Sequence, residues 1–260
     1  DNGEATGSGY HIIDSNYITD NGSGGTAAFY PRNITFTNNV VERNNNLRFV
    51  GKKRWESAGV KMHGPHYSNI SNNLIRNNYG KWGLWLDQGS GNDTKVHGNL
   101  IVGNEVGFDL EIGTAYADKL ILDNNIFIDN KTAIASRESG GITAMNNLVV
   151  NALEYGVHNT INKDRGGSWT GDHHYYFNNV LISCGTNMGI YPPDFYRSQI
   201  RQFDYNIYQE NSEVKRFKLL YAMCNFNDWK TQWSNYNASS NADLNSVLNN
   251  ELSCEFDSVN

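Results

Sequence analysis

The segment LILDNNIFIDNKTAIASRESGGITAMNNLVV (residues 120–150) decides the fold. Its apolar residues alternate over only four to six positions at a time, which is strand periodicity, and no helical stretch lies between the alternating runs. Twice within it, at Asn125 and Asn147, an Asn precedes a pair of branched or aromatic apolar residues. Working outward, the same unit returns at Asn16, Asn39, Asn73, Asn99, Asn179 and Asn206, so the eight units are spaced by 23, 34, 26, 26, 22, 32 and 27 residues. That is a solenoid period with loop insertions. Asn tolerates the left-handed backbone angles of tight corners, and stacked Asn side chains can hydrogen-bond from one coil to the next. The units lack a leucine-rich consensus and a WD signature, which sets those solenoids aside. The pattern predicts an all-β fold, a right-handed single-stranded parallel β-helix, as one domain over residues 1–260. Its coils are expected over about 10–208 and a C-terminal cap over about 209–260. In that cap Trp229 and Trp233, four apart on a predicted helix, are expected to pack the last apolar layer.

With 260 residues the chain is long enough for one continuous core. A net charge of -6, with 18% charged residues, offers no basic surplus for a phosphate backbone, so nucleic acid is not expected as a partner. No apolar run approaches the roughly 18 residues of a spanning helix, so no membrane partner is expected either. The opening residues DNGEATGSGY lack a signal-peptide pattern, and a start at Asp1 rather than Met fits a processed or excised chain that continues N-terminally. A secreted or periplasmic location is the expectation. Cys184, Cys224 and Cys254 allow at most one intrachain disulfide, which is not a disulfide-built scaffold.

Three segments match without a gap at an interval of 24: Gly59 to His63, Gly83 to Asp87 and Gly107 to Glu111. Val60/Met62, Leu84/Leu86 and Phe108/Leu110 alternate inward, so Lys61, Trp85 and Asp109 form one outward column and His63, Asp87 and Glu111 a second. One or two extra residues place Arg137 next in that second column. Strands on adjacent coils of a parallel sheet lie about 4.8 Å apart. Retaining glycosidases need two carboxyl groups about 5 to 5.5 Å apart, and inverting enzymes about 6.5 to 9.5 Å. Stacking alone brings Asp87 and Glu111 into the first range, and a diagonal pair such as Asp87 with Asp109 reaches toward the second. Like charges that close are expected to leave one member protonated as a general acid, with His63 and Arg137 as flanking cations. The bland alternative is that Asp87 and Glu111 are ordinary solvated acids of a solenoid surface.

The segments AGVKMH (58–63), GLWLDQG (83–89), GFDLEIG (107–113) and LILDNNIFI (120–128) resemble the parallel β-helix β-xylosidases of glycoside hydrolase family 120. TGDHHYYFNNVLI (170–182) is similar to the same family's segment in which a Gly-Asp pair precedes an aromatic run and paired asparagines. The likeness covers roughly residues 56–182, with a weaker echo near 241–247. It implies a glycoside hydrolase with Asp87 as nucleophile and Glu111 as acid/base. The chain departs from the family pattern at Gln88, where an aromatic residue is expected, and at GTAYAD (113–118), where a His-Gly-Pro-like turn is expected. It also lacks room for the family's β-sandwich domain.

Substrate-binding candidates are His63, Trp85, Asp109, Arg137, Asp172 and His173, the last two following the Gly-rich stretch NKDRGGSWTG. Trp82, Trp85 and Trp169 offer flat faces for sugar rings. No cofactor is expected, and His63, His66 and His97 match no recognised zinc spacing. The expected activity is cleavage of a β-glycosidic bond, a β-xyloside favoured, in a plant-type oligosaccharide or polysaccharide. A polysaccharide lyase acting on a uronate and a non-catalytic carbohydrate-binding β-helix are the alternatives.

Overall fold

The computed structural model describes residues 9–48, 57–80, 82–88, 93–113, 120–161, 173–191, 201–210, 213–219, 222–236 and 243–254. Their strands form three parallel sheets of eight, nine and nine members, in which each strand neighbours the strands one coil before and after it. One antiparallel hairpin partner, Ala222–Cys224, closes the third sheet. A coil such as the one carrying Asn69–Ser71, Leu74–Arg76 and Trp82–Asp87 therefore contributes one strand to each sheet. This is the parallel β-helix that the sequence predicts.

The asparagine spacing has a single physical cause. Side-chain amides link Asn16, Asn39, Asn73, Asn99, Asn125, Asn147, Asn179 and Asn206 in one ladder, each Nδ2 donating to the next Oδ1 at 2.9 to 3.1 Å. The residue before each rung is left-handed, with φ of 58° at Ser15, 55° at Asn72 and 53° at Asn124. A second ladder runs through Asn21, Asn44, Asn78, Asn104 and Asn130 at the next corner. This second ladder explains the glycine at the head of each matched segment. A Cβ on Gly83 would lie 2.8 Å from Asn104 Nδ2 and 2.9 Å from the Gly107 carbonyl oxygen, so a bulkier residue would push the coils apart.

Inward residues fill the tube: Phe36, Ile70, Val96 and Leu122 from the first sheet, Val41, Ile75, Ile101 and Phe127 from the second, and Val60, Leu84, Phe108 and Ile134 from the third, all buried. Burying each such side chain contributes roughly 1.5–3 kcal/mol. Paired strands continue past residue 208 at Phe217–Leu219 and Val247–Leu248, although the Asn-apolar pattern has faded there. The helix Phe226–Tyr236 lays Trp229 and Trp233 against Phe203 and Phe217. The first ladder ends on Asp243 and Ser246, which take the place of a ninth Asn beside Asn206.

A third corner fixes the register of the outward columns. Tyr30, Gly64, Gln88, Ile112 and Glu138 each follow a strand of the third sheet in the left-handed conformation. The backbone N–H of each donates to a carbonyl on the next coil, as in Gln88 to Glu111 at 2.9 Å and Ile112 to Arg137 at 2.9 Å. Ile112 is the β-branched member, at φ 53°, where an L side chain with two Cβ branches is strained. Ile112→Asn is expected to raise stability by up to about 1 kcal/mol in urea unfolding, because Asn adopts this conformation more readily. A lower unfolding midpoint would show that Ile112's half-buried contacts outweigh its backbone strain.

Candidate active site

On the third sheet the strands Ala58–His63, Trp82–Asp87, Val106–Glu111 and Thr132–Arg137 stack in parallel. The register sets His63 opposite Asp87, Asp87 opposite Glu111 and Glu111 opposite Arg137. It sets Lys61 opposite Trp85 and Trp85 opposite Asp109. These outward residues do not stand in water: Asp87 is 8% exposed, Glu111 3% and Asp109 0%. Ordinary solvated acids do not have such values, since carboxylates are almost never this buried without partners.

The partners are specific. Lys61 Nζ lies 3.2 Å from Asp87 Oδ2, and His63 Nδ1 lies 3.5 Å from the same oxygen. Arg137 grips two carboxylates at once. It donates to Glu111 Oε2 at 2.7 Å and Oε1 at 3.2 Å, and through Nε to Asp109 at 2.9 and 3.2 Å. Asp109 also accepts from Trp82 Nε1 at 2.5 Å. Burial pushes the Asp109 carboxyl above its ordinary range, against the pull of the Arg137 guanidinium. Burial likewise disfavours charge on Arg137, but Asp109 and Glu111 outweigh it and raise its pKa, so the guanidinium stays charged. On the next coil burial and the nearby Lys218 lower His158 to about 4, so this ring is neutral at pH 7.

The structure brings together six of the eight residues selected from the sequence: Asp87, Glu111, His63, Trp85, Asp109 and Arg137. Asp172, like Trp169, lies outside the described residues. His173 is not in the column; it precedes the strand His174–Phe177 of the first sheet, at φ 58°. Trp85 differs from a sugar platform. Its ring has Trp82 stacked at 3.9 Å and the Lys61 ammonium 3.4 Å from its centroid, and two groups that close must lie on opposite faces. With Ala58, Trp82, Val106 and Ala135 it forms a small apolar cluster on the outside of the sheet. Trp85 thus walls the carboxylates off from water and holds Lys61 over its face.

Lys61 and Trp82 hold the site without having been singled out for that purpose by the sequence. Lys61 was visible as the member of the first outward column one coil before Trp85; its pairing across to Asp87 in the second column was not. Among the described residues no group of three or more His, Cys, Asp or Glu is arranged to hold a metal ion. The three cysteines are free, and burial pushes the Cys184 thiol up to about 12.

The arrangement can do one kind of chemistry directly. Two carboxylates one coil apart, each held by a cation in a water-poor setting, can flank an acetal so that one attacks its carbon while the other protonates the oxygen leaving on the opposite side. The family model described as a right handed beta helix region matches residues 4–165. No curated protein and no solved structure matches the chain significantly.

Proposed function

We infer the function of a chain that belongs to the right-handed β-helix family: it works on carbohydrate chains, as a retaining glycoside hydrolase with Asp87 as nucleophile and Glu111 as acid/base. The observation that carries this reading is the register pairing of Asp87 with Glu111 on adjacent coils, about 4.8 Å apart at the backbone, inside a buried charged cluster. Asp87 attacks the anomeric carbon as the bond to the leaving oxygen breaks, and Glu111 gives that oxygen a proton. Glu111 then takes a proton from water, which attacks the same carbon and frees Asp87. Lys61 supports Asp87 as the anion. To deliver that proton Glu111 must part from Arg137, whose guanidinium keeps Asp109, which it also grips through Nε. The resemblance to family 120 favours a β-xyloside as substrate.

Lys61 and Arg137, the fixed cations of this cluster, are both taken up in ion pairs with Asp87, Asp109 and Glu111. A lyase needs cationic charge to spare for a uronate, so the balance supports a neutral sugar and hydrolysis. The bidentate Arg137–Glu111 pair favours a second reading, a β-helix that binds carbohydrate without turnover, because an acid catalyst must carry a proton.

A panel of nitrophenyl glycosides, followed by proton NMR to read the anomer first released, separates the two. Release of sugar with retained configuration supports the hydrolase; binding without release supports the module. Within the hydrolase reading, Glu111→Ala is expected to slow substrates with poor leaving groups by roughly 10² to 10⁴ and activated dinitrophenyl glycosides far less. Equal losses on both would remove Glu111 from the acid role.

A further inference from the structure

The column that carries the acidic pair continues one coil beyond His63, to Phe29 at the end of the strand Thr26–Phe29. Phe29 is 62% exposed, and its ring stacks on the His63 imidazole with centroids 4.5 Å apart and planes 9° from parallel. Through His63 it is one contact from Asp87. Its neighbour Tyr30 is 41% exposed and lies over Gly64, where an added Cβ would fall 2.7 Å from the Tyr30 ring. Gly64 is the corner residue after His63, so its bare backbone is what lets this second ring settle beside the column.

A lone exposed aromatic needs no explanation. Here, however, the two aromatic residues sit at the end of a column of charged groups, and one is held flat by a residue of the proposed site. Phe29 lies two coil steps, about 10 Å, from Asp87 along the solenoid axis. His63 stands between them and covers the face of Phe29 that looks toward Asp87, so a sugar chain that starts at Asp87 runs past the His63 edge and lays its outer ring on the face of Phe29 that looks away along the axis.

Resting on the hydrolase reading above, we propose that Phe29, flanked by Tyr30, is the stacking platform of a second sugar subsite. The substrate is then an oligosaccharide lying along the helix axis, and the protein recognises at least two consecutive pyranose rings. The apolar CH face of a pyranose packs on Phe29, whose opposite face is already covered by His63.

The test compares xylotriose with β-xylosyl fluoride, which has no second ring, in wild type, Phe29→Ala and Phe29→Trp. Phe29→Ala is expected to raise KM for xylotriose by roughly 5-fold, in keeping with the loss of one aromatic stacking contact. The fluoride should be hydrolysed as before, and Phe29→Trp should restore the xylotriose KM. Equal changes on both substrates, or none on xylotriose, would overturn the platform. Binding of xylotriose and cellotriose, measured by calorimetry without turnover, separates this proposal from the catalytic one. If the wild type hydrolyses nothing, weaker trisaccharide binding by Phe29→Ala still supports the platform, whereas unchanged binding, or none by the wild type, overturns it.

Discussion

Asp87→Ala is expected to cut glycoside hydrolysis by roughly a thousand-fold or more, and sodium azide is expected to return much of the loss on activated substrates. The product of rescue should be the glycosyl azide of inverted configuration. Azide forms its bond to the anomeric carbon from the side that Asp87 vacates, while the leaving oxygen departs from the other side. The geometry favours the anion, because buried Lys61 Nζ lies 3.2 Å from the Asp87 Oδ2 position that the azide would take over. Losing this ion pair also destabilises the variant, so Asp87→Asn, which keeps the volume, should be measured beside it with a thermal unfolding curve for each. Undiminished hydrolysis by a folded Asp87→Ala variant would end the assignment of Asp87 as nucleophile. Rescue that yields the azide of retained configuration would place the nucleophile elsewhere.

Asn99→Leu should cost stability about 3–5 kcal/mol by urea unfolding. Asn99 Oδ1 accepts from the backbone N–H of Asn73 at 3.0 Å and from its Nδ2 at 2.9 Å. Its own Nδ2 donates to Asn125 Oδ1 at 2.9 Å, to the Ile70 carbonyl at 3.0 Å and to the His97 carbonyl at 3.2 Å. Leucine has a similar size but answers none of these groups, and each buried donor or acceptor left alone costs about 1–3 kcal/mol. Asn227, exposed on the C-terminal helix, makes the control: Asn227→Ala should change stability by no more than about 0.5 kcal/mol. Similar losses at both positions would mean that the ladder adds little beyond ordinary helix and strand packing.

The fold was legible because its determinants are local and repeated. Each Asn carries its own corner and hydrogen-bonds only within its own coil and to the coils on either side, so eight copies of one signal could be aligned without knowing any other contact. The second ladder was equally legible, since Asn21, Asn44, Asn78, Asn104 and Asn130 repeat the same 23, 34, 26 and 26 residue intervals. Phe29 was hidden by the same arithmetic. The coil between it and His63 holds 34 residues rather than 24, and the loop insertion broke the alignment of the outward columns.

The sequence by itself determined the coil, the inward and outward faces, and the pairing of Asp87 with Glu111, because a parallel strand repeats at a fixed spacing and alternates with period two. Only the tertiary structure decided what surrounds that pair. Whether an outward acid stands in water or is buried against Trp82 and Trp85, and whether Lys61 reaches Asp87 or Arg137 spans both Asp109 and Glu111, depends on side-chain reach across columns and coils. Charge pairing of long flexible side chains is settled by distance and desolvation in three dimensions, and a one-dimensional period carries neither.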